Sequence, residues 1–264
     1  MDLTDDYENG KYIPDAASYP PHWAAHAAAF RDRLGDRARL DLAYGPDSRQ
    51  RFDLFLPDDT PAGLLMFIHG GYWLKFDKSS WSHLAAGPRA RGWAVAMPSY
   101  RLAPAVRIAK ITGDIARALA AASETVDGSI VVAGHSAGGH LAARMRCGDV
   151  GLPAAVTARL RRVVPISPLS DLRPLMRTAM NAELRIDEGE ATAESPLLCT
   201  ERVDAETVVW VGAEERPAFL DQARWLADAW PGASLRVASG RHHFDVIEEM
   251  EQADSPLTQA MVGN

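Results

Sequence analysis

The stretch Gly134-His135-Ser136-Ala137-Gly138 reads G-x-S-x-G. A serine in this frame, between a strand and a helix, sits on a sharp turn that exposes its hydroxyl. The helix N-terminus lies beneath it, which suits a nucleophile. The five residues alone could equally form a Gly-rich strand-to-helix turn, so context decides. Ser129-Ile130-Val131-Val132-Ala133 precedes them and reads as a buried strand, and a helix-forming run from Ala137 to Met145 follows. A second chemical stretch, His69-Gly70-Gly71-Tyr72-Trp73, comes straight after the apolar run Leu64 to Ile68. Acyl transfer develops a tetrahedral oxyanion, which fixed backbone N–H groups stabilise without reorganising. The glycines let the backbone come close to a substrate. The N–H of Ala137, just after the serine, is the expected second donor.

A serine nucleophile needs a histidine base, and the chain has eight histidines. His22 and His26 have the i,i+4 spacing of a metal pair, but no third ligand is apparent and no metal site is expected. His69 belongs to the glycine turn, His83 to a Trp-containing loop, and His135 and His140 flank the serine. His242 and His243 follow the last strand, where the order serine, acid, histidine puts the base. His243 is preferred over His242 because Phe244 can anchor its loop in the core. The acid is expected after the strand Thr207–Val211, with Glu214, Glu215 and Asp221 as candidates. Its task is to hold the base in one tautomer and to stabilise the imidazolium.

The elements that must position these groups follow from periodicity. Residues 1–20 are polar and rich in Tyr, Asp and Pro, and read as an arm lying on the surface. A helix is expected from about Pro21 to Leu34, with proline in its first turn. Arg39–Tyr44 and Arg51–Leu56 alternate as half-buried strands do. Leu64–Ile68 and Trp93–Met97 are continuously apolar, as strands buried on both faces must be. Ile108–Ala122 has a helical period. Further strands are expected at Arg162–Ile166, Thr207–Val211 and Leu235–Ala238. One helix is expected at about Pro217–Trp230 and another from about Asp245. This alternation predicts an α/β protein with a mostly parallel sheet covered by helices on both faces, and functional residues at the strands' carboxyl ends. The connection from Ser167 to Arg202 has no strand. Its residues 168–202 are expected to form a small cap that walls the substrate site.

Composition bounds the rest. The chain has 264 residues, 47% apolar and 24% charged, enough for one full core. Its net charge of −7 lacks the positive field that nucleic-acid binding needs. Two cysteines, Cys147 and Cys199, are too few for a disulfide framework and read as free thiols in a reducing compartment. The acidic start, Met1 to Asp6, has no leader character. Apolar runs reach about five residues against the ~18 needed to span a bilayer. The expectation is a cytoplasmic protein with a small-molecule substrate and no nucleic-acid or membrane partner. A homodimer is compatible with this sequence.

Taken together, these residues resemble the α/β-hydrolase fold superfamily from about residue 20 onward. His69-Gly70-Gly71-Tyr72-Trp73 resembles the H-G-G-x-W motif of kynurenine formamidases (arylformamidases). Tyr100-Arg101-Leu102-Ala103-Pro104 is similar to a stretch shared with carboxylesterases of the hormone-sensitive-lipase type. Ser136-Ala137-Gly138-Gly139-His140 resembles the S-A-G-G-H elbow, and His243-Phe244-Asp245 the H-F-[DE] of the catalytic histidine. Asp171-Leu172-Arg173-Pro174-Leu175 and Ser195-Pro196-Leu197 resemble parts of the formamidase cap region. The chain departs from the family at the acid. The family usually carries Asp there, whereas Glu215 fills that position in Glu215-Arg216-Pro217-Ala218-Phe219.

The resemblance implies a cofactor-free serine hydrolase working through an acyl-enzyme. Ser136 would attack, His243 would shuttle the proton, and Glu215 would orient His243. The N–H groups of Gly71, Tyr72 and Ala137 would bind the oxyanion. Tyr72, Trp73 and Trp81 would form an aromatic substrate pocket, which suits N-formylkynurenine or a similar aryl formamide. A carboxylesterase or thioesterase for short acyl chains would use the same triad. A hydrolase fold reused for ligand binding would need none.

Overall fold

Leu64 to Ile68 carries no polar residue because its strand is covered on both faces. Leu64, Met66 and Ile68 pack into one core cluster, while Leu65 and Phe67 pack into another. This is the two-residue alternation of a central strand. All five are buried, and each contributes roughly 1.5–3 kcal/mol of transfer free energy. The computed structural model describes residues 1–263. Its strands are β1 (Ala38–Ala43), β2 (Arg51–Phe55), β3 (Gly63–Ile68), β4 (Ala94–Pro98), β5 (Ser129–His135), β6 (Leu160–Ile166), β7 (Glu206–Gly212) and β8 (Ser234–Ala238). They form one sheet in the order β1-β2-β4-β3-β5-β6-β7-β8. β2 runs antiparallel to β1 and to β4, and the other pairs are parallel. The mostly parallel α/β sheet expected from the sequence is present.

The helices are α1 (Tyr19–Leu34), α2 (Ala86–Ala90), α3 (Ile108–Ser123), α4 (Ala137–Arg144), α5 (Ala154–Thr157), α6 (Asn181–Leu184), α7 (Glu188–Ala193), α8 (Pro217–Ala229) and α9 (Pro256–Val262). Apolar side chains of α3, α4 and α8 share the first core cluster, and those of α1 and α9 the second. No helix among the described residues is long and apolar enough to cross a membrane. Cys147 and Cys199 are free thiols.

Three expectations about the connections are corrected. No continuous helix starts at Asp245. Its carboxylate accepts the His242 N–H at 2.7 Å in a turn, and the extended Ser255 before Pro256 separates that turn from the next helix. A 3-10 turn at Glu248–Glu251 and then α9 follow. The arm is not merely laid on the surface: Tyr7, Asn9 and Ile13 are buried. Residues 168–202 do form short helical turns, but they lie over α3 and α4. Arg107 pairs with Asp187 and Glu190 at 2.7 Å each, and Arg144 with Glu194 at 3.2 Å. With Leu172, Leu175 and Ala191 buried in the first core cluster, the segment sits on the flank of the sheet, and none of its residues lines the pocket described below.

Candidate active site

The sheet register assembles the site. Ile68 is level with Gly134 across β3 and β5, His135 with Ile166 across β5 and β6, and Gly212 with Ala238 across β7 and β8. The chain therefore leaves β3, β5, β6, β7 and β8 on one edge, at their carboxyl ends. His69–Tyr72, Ser136, Ser167, Glu215 and His243 follow those exits.

Ser136 has φ 57° and ψ −118°, a sparsely populated conformation costing on the order of 1–3 kcal/mol. Its N–H donates to Ile166 O at 2.8 Å and its carbonyl accepts the His140 N–H at 3.0 Å, which hold the turn. Tight packing explains the neighbouring glycines. A Cβ on Gly138 would stand 2.0 Å from Ile68 O, and one on Gly70 would stand 3.0 Å from the Ser136 Cβ. Ala137 opens α4, so its N–H has no acceptor within the helix.

The candidate base and acid are joined. His243 Nδ1 and Glu215 Oε2 are 2.6 Å apart, and both side chains are almost wholly buried. Glu215 Oε1 accepts the Ser167 hydroxyl and the Gly212 N–H, the latter at 2.9 Å. The His243 ring packs 4.4 Å from Phe219 and 4.6 Å from His135, centroid to centroid. Ser136 and His243 face the same cavity. No direct hydrogen bond closes between them, as is common before a substrate aligns the pair.

The rival acids are elsewhere. Glu214 is exposed, and Asp221 is on α8, paired with Arg224 at 3.0 Å. His242 is spent on structure, with Nδ1 accepting the Phe244 N–H at 3.1 Å and Nε2 3.1 Å from Tyr19 Oη. His22 and His26 lie with ring centroids 3.9 Å apart and planes tilted by 45°, with His83 5.8 Å from His26. The side chains whose ligand atoms converge within 4.8 Å are instead Cys147, Asp149 and Cys199, away from the pocket. Asp149 there is already held by Arg144 at 2.6 Å.

The glycine turn after β3 is unusual in its backbone. Gly71, Tyr72 and Trp73 have φ of 109°, 55° and 59° in succession. The His69 ring lies stacked on Tyr100 at 4.4 Å and its Nδ1 donates to Gly70 O at 2.7 Å. Burial drives its pKa down to about 4, so it is a neutral structural donor. Burial, and then the neighbouring His243, hold His135 well below the ordinary histidine range. Burial raises the Tyr72 phenol to about 12.

A cavity of about 410 Å³ opens over Ser136. Its lining includes Trp23, Tyr72, Phe76, Trp81 and Phe244. Trp81 packs 4.7 Å from Trp23 and 5.6 Å from Phe76. Tyr72 and Trp81 thus sit where the sequence put them. Trp73 does not: it is fully buried against His140, with ring centroids 5.1 Å apart, and lines no part of the cavity. Its positive φ turns the side chain into the core. Trp23 and the arm residues Gly10, Ala16, Ala17 and Pro20 line the wall without having been expected there. Ser167 was also missed, since a serine ending a strand carries no motif of its own.

A family model described as the alpha/beta hydrolase fold matches residues 65–223, more than half of the chain. The chain belongs to the α/β-hydrolase fold family. It is a hydrolase of that fold, and within the family it is similar to kynurenine formamidases. The Drosophila melanogaster kynurenine formamidase is 30% identical over 237 residues, covering 83% of this chain and 78% of the relative. The Danio rerio kynurenine formamidase is 26% identical over 259 residues, covering 90% and 87%. Among solved α/β structures, a candidate thioesterase from Silicibacter sp. TM1040 superposes with a TM-score of 0.97 at 59% identity. The alignment covers 99% of both chains.

Proposed function

We propose that this hydrolase cleaves a small aryl formamide through a formyl-enzyme on Ser136, with N-formylkynurenine as the best-fitting substrate. The observation that carries the hydrolytic part is the buried Glu215–His243 pair at 2.6 Å, facing the same cavity as a serine on a strained elbow. His243 takes the Ser136 proton as Oγ attacks the formyl carbon. Glu215 fixes the imidazole tautomer and stabilises its charge. The N–H groups of Gly71, Tyr72 and Ala137 receive the oxyanion. His243 then returns the proton to the departing aryl amine, and water releases formate by the same route. The aromatic lining supports an aryl leaving group.

A thioesterase or short-chain esterase is the second reading, favoured by the 59% identical neighbour described as a candidate thioesterase. One panel separates the readings: N-formylkynurenine, nitrophenyl acetate, nitrophenyl butyrate and a short acyl thioester. The formamidase reading expects kcat/KM highest on N-formylkynurenine, lower on acetate and steeply lower on butyrate. Acetate activity survives because one carbon discriminates by only ~1–3 kcal/mol. Faster turnover of butyrate than acetate, with N-formylkynurenine untouched, would transfer the assignment to the esterase. Ser136→Ala must abolish turnover of whichever substrate is cleaved, and wild-type rates in that variant would sink both readings.

A further inference from the structure

Three successive left-handed residues, Gly71, Tyr72 and Trp73, make the turn beside Ser136 a strained one. For the two non-glycine residues such strain persists only where the surroundings over-determine it. Trp73 is fixed by the core: its ring is fully buried, and its carbonyl accepts the Ala103 N–H at 2.9 Å. Tyr72 is fixed from the opposite side, by the N-terminal arm. Its hydroxyl donates to Tyr7 O at 2.5 Å and accepts from Asn9 Nδ2 at 3.1 Å.

We propose that Tyr7 and Asn9 are positioning residues for the oxyanion loop and act on it through the Tyr72 phenol. The inference rests on the reading of the Gly71 and Tyr72 N–H groups as oxyanion donors. Tyr7 is itself anchored at a second catalytic element. Its ring is buried against Phe219 at 5.8 Å, and Gln222 Nε2 donates to its hydroxyl at 3.0 Å. Both partners lie on α8, the helix that begins two residues after Glu215. Phe219 is also the ring packed on His243. One arm residue thus ties the acid's helix, through its side chain, to the oxyanion turn, through its carbonyl. Arg216 adds a further clasp, 3.7 Å above the Tyr12 ring and 3.1 Å from the Asp5 carboxylate. The phenol, buried and held as the neutral donor, keeps this link through the neutral pH range. The arm therefore sets donor geometry as well as walling the pocket.

The test uses full-length Tyr72→Phe, Asn9→Asp and the double variant, all assayed on nitrophenyl acetate. Asn9→Asp keeps the shape, removes the donor and adds an acceptor, charged when ionised, that can compete with Tyr7 O for the Tyr72 hydroxyl. Ser136 labelling by a fluorophosphonate comes first. If wild-type protein is not labelled there, the serine-hydrolase reading fails and this inference falls with it. With labelling established, each single variant should lose about tenfold in kcat with KM within twofold. That is less than the ~10²–10³ for outright loss of an oxyanion donor. The phosphonylation rate should fall in parallel. The double variant should be little worse than Tyr72→Phe, because both changes break one unit. Single variants with kcat within twofold of wild type, a loss confined to KM, or additive losses would each overturn the proposal. If Tyr72→Phe does not fold, the kcat and phosphonylation rate of Asn9→Asp decide it alone.

Discussion

The Glu215 carboxylate touches His243 with one oxygen and is held in place by the other. Oε2 is 2.6 Å from His243 Nδ1, while Oε1 takes the Ser167 hydroxyl and the Gly212 N–H. The longer glutamate side chain reaches the imidazole because the chain turns at once after β7. Gly212 O accepts the Glu215 N–H at 3.4 Å, and Glu215 Oε1 returns to Gly212 N.

Glu215→Gln should lower kcat by about 10³ to 10⁴, because an amide can present a donor to Nδ1 and select the wrong tautomer. Glu214→Gln should stay within about twofold, since Glu214 is exposed and makes no contact with His243. Steady-state rates on nitrophenyl acetate for the two variants check this. The reverse ranking would reassign the acid.

Gly138→Ala should destabilise by about 3 kcal/mol or more, because the new methyl would lie 2.0 Å from Ile68 O and 2.5 Å from His69 O. Gly113→Ala, on α3, meets only an ordinary contact, Arg117 Nη1 at 3.7 Å. It should stabilise by roughly 0.5–1 kcal/mol. Urea midpoints compare the pair directly, and equal midpoints would contradict the packing argument.

Stability should fall as pH drops below about 6.5. Burial holds His69 and His83 down to about 4 and His140 to about 3, from an ordinary value of 6.5. These rings are neutral in the folded protein, while the unfolded chain takes up their protons below pH 6.5. The unfolded state therefore binds more protons across that window, and stability rises with pH through it. Each ring contributes up to ~1.4 kcal/mol per pH unit. Urea midpoints at pH 7.5, 6.0 and 5.0 should decrease in that order, and a flat series would refute the assignment.

Trp81→Ala should enlarge the cavity beside Trp23 and Phe76 and shift preference toward bulkier substrates. The ratio of nitrophenyl butyrate to acetate kcat/KM should rise severalfold. The loss of a large buried side chain costs about 3–5 kcal/mol of stability, so a melting curve accompanies the assay. An unchanged ratio in folded protein would remove Trp81 from the pocket's function.

Much of this molecule is legible one segment at a time. All eight strands lie within two residues of where the sequence put them: β1 and β2 by alternation, and the central strands by apolar runs, because a strand buried on both faces tolerates few polar residues. The elbow at Ser136 and the turn after β3 show in their glycines, because close backbone approach admits no Cβ. The helix expected from Asp245 is broken up, and α9 begins only at Pro256, whose ring keeps the preceding Ser255 extended.

What the sequence determined by itself was the sheet, the order of its exits and the residue types at each exit, since these depend on local pattern and short-range sterics. It left three acids and two histidines open on residue chemistry alone, with the family resemblance favouring Glu215. Only the tertiary structure sets Glu215 against His243 and leaves Glu214 facing solvent, because adjacent residues diverge according to how the chain turns after β7. Only the tertiary structure brings the arm to the pocket and keeps residues 168–202 out of it. Tyr7 meets Tyr72 across 65 residues and Arg107 meets Asp187 across 80. Pairings of that separation are decided by which burial and which ion pairs the finished sheet makes available, and no local pattern encodes them.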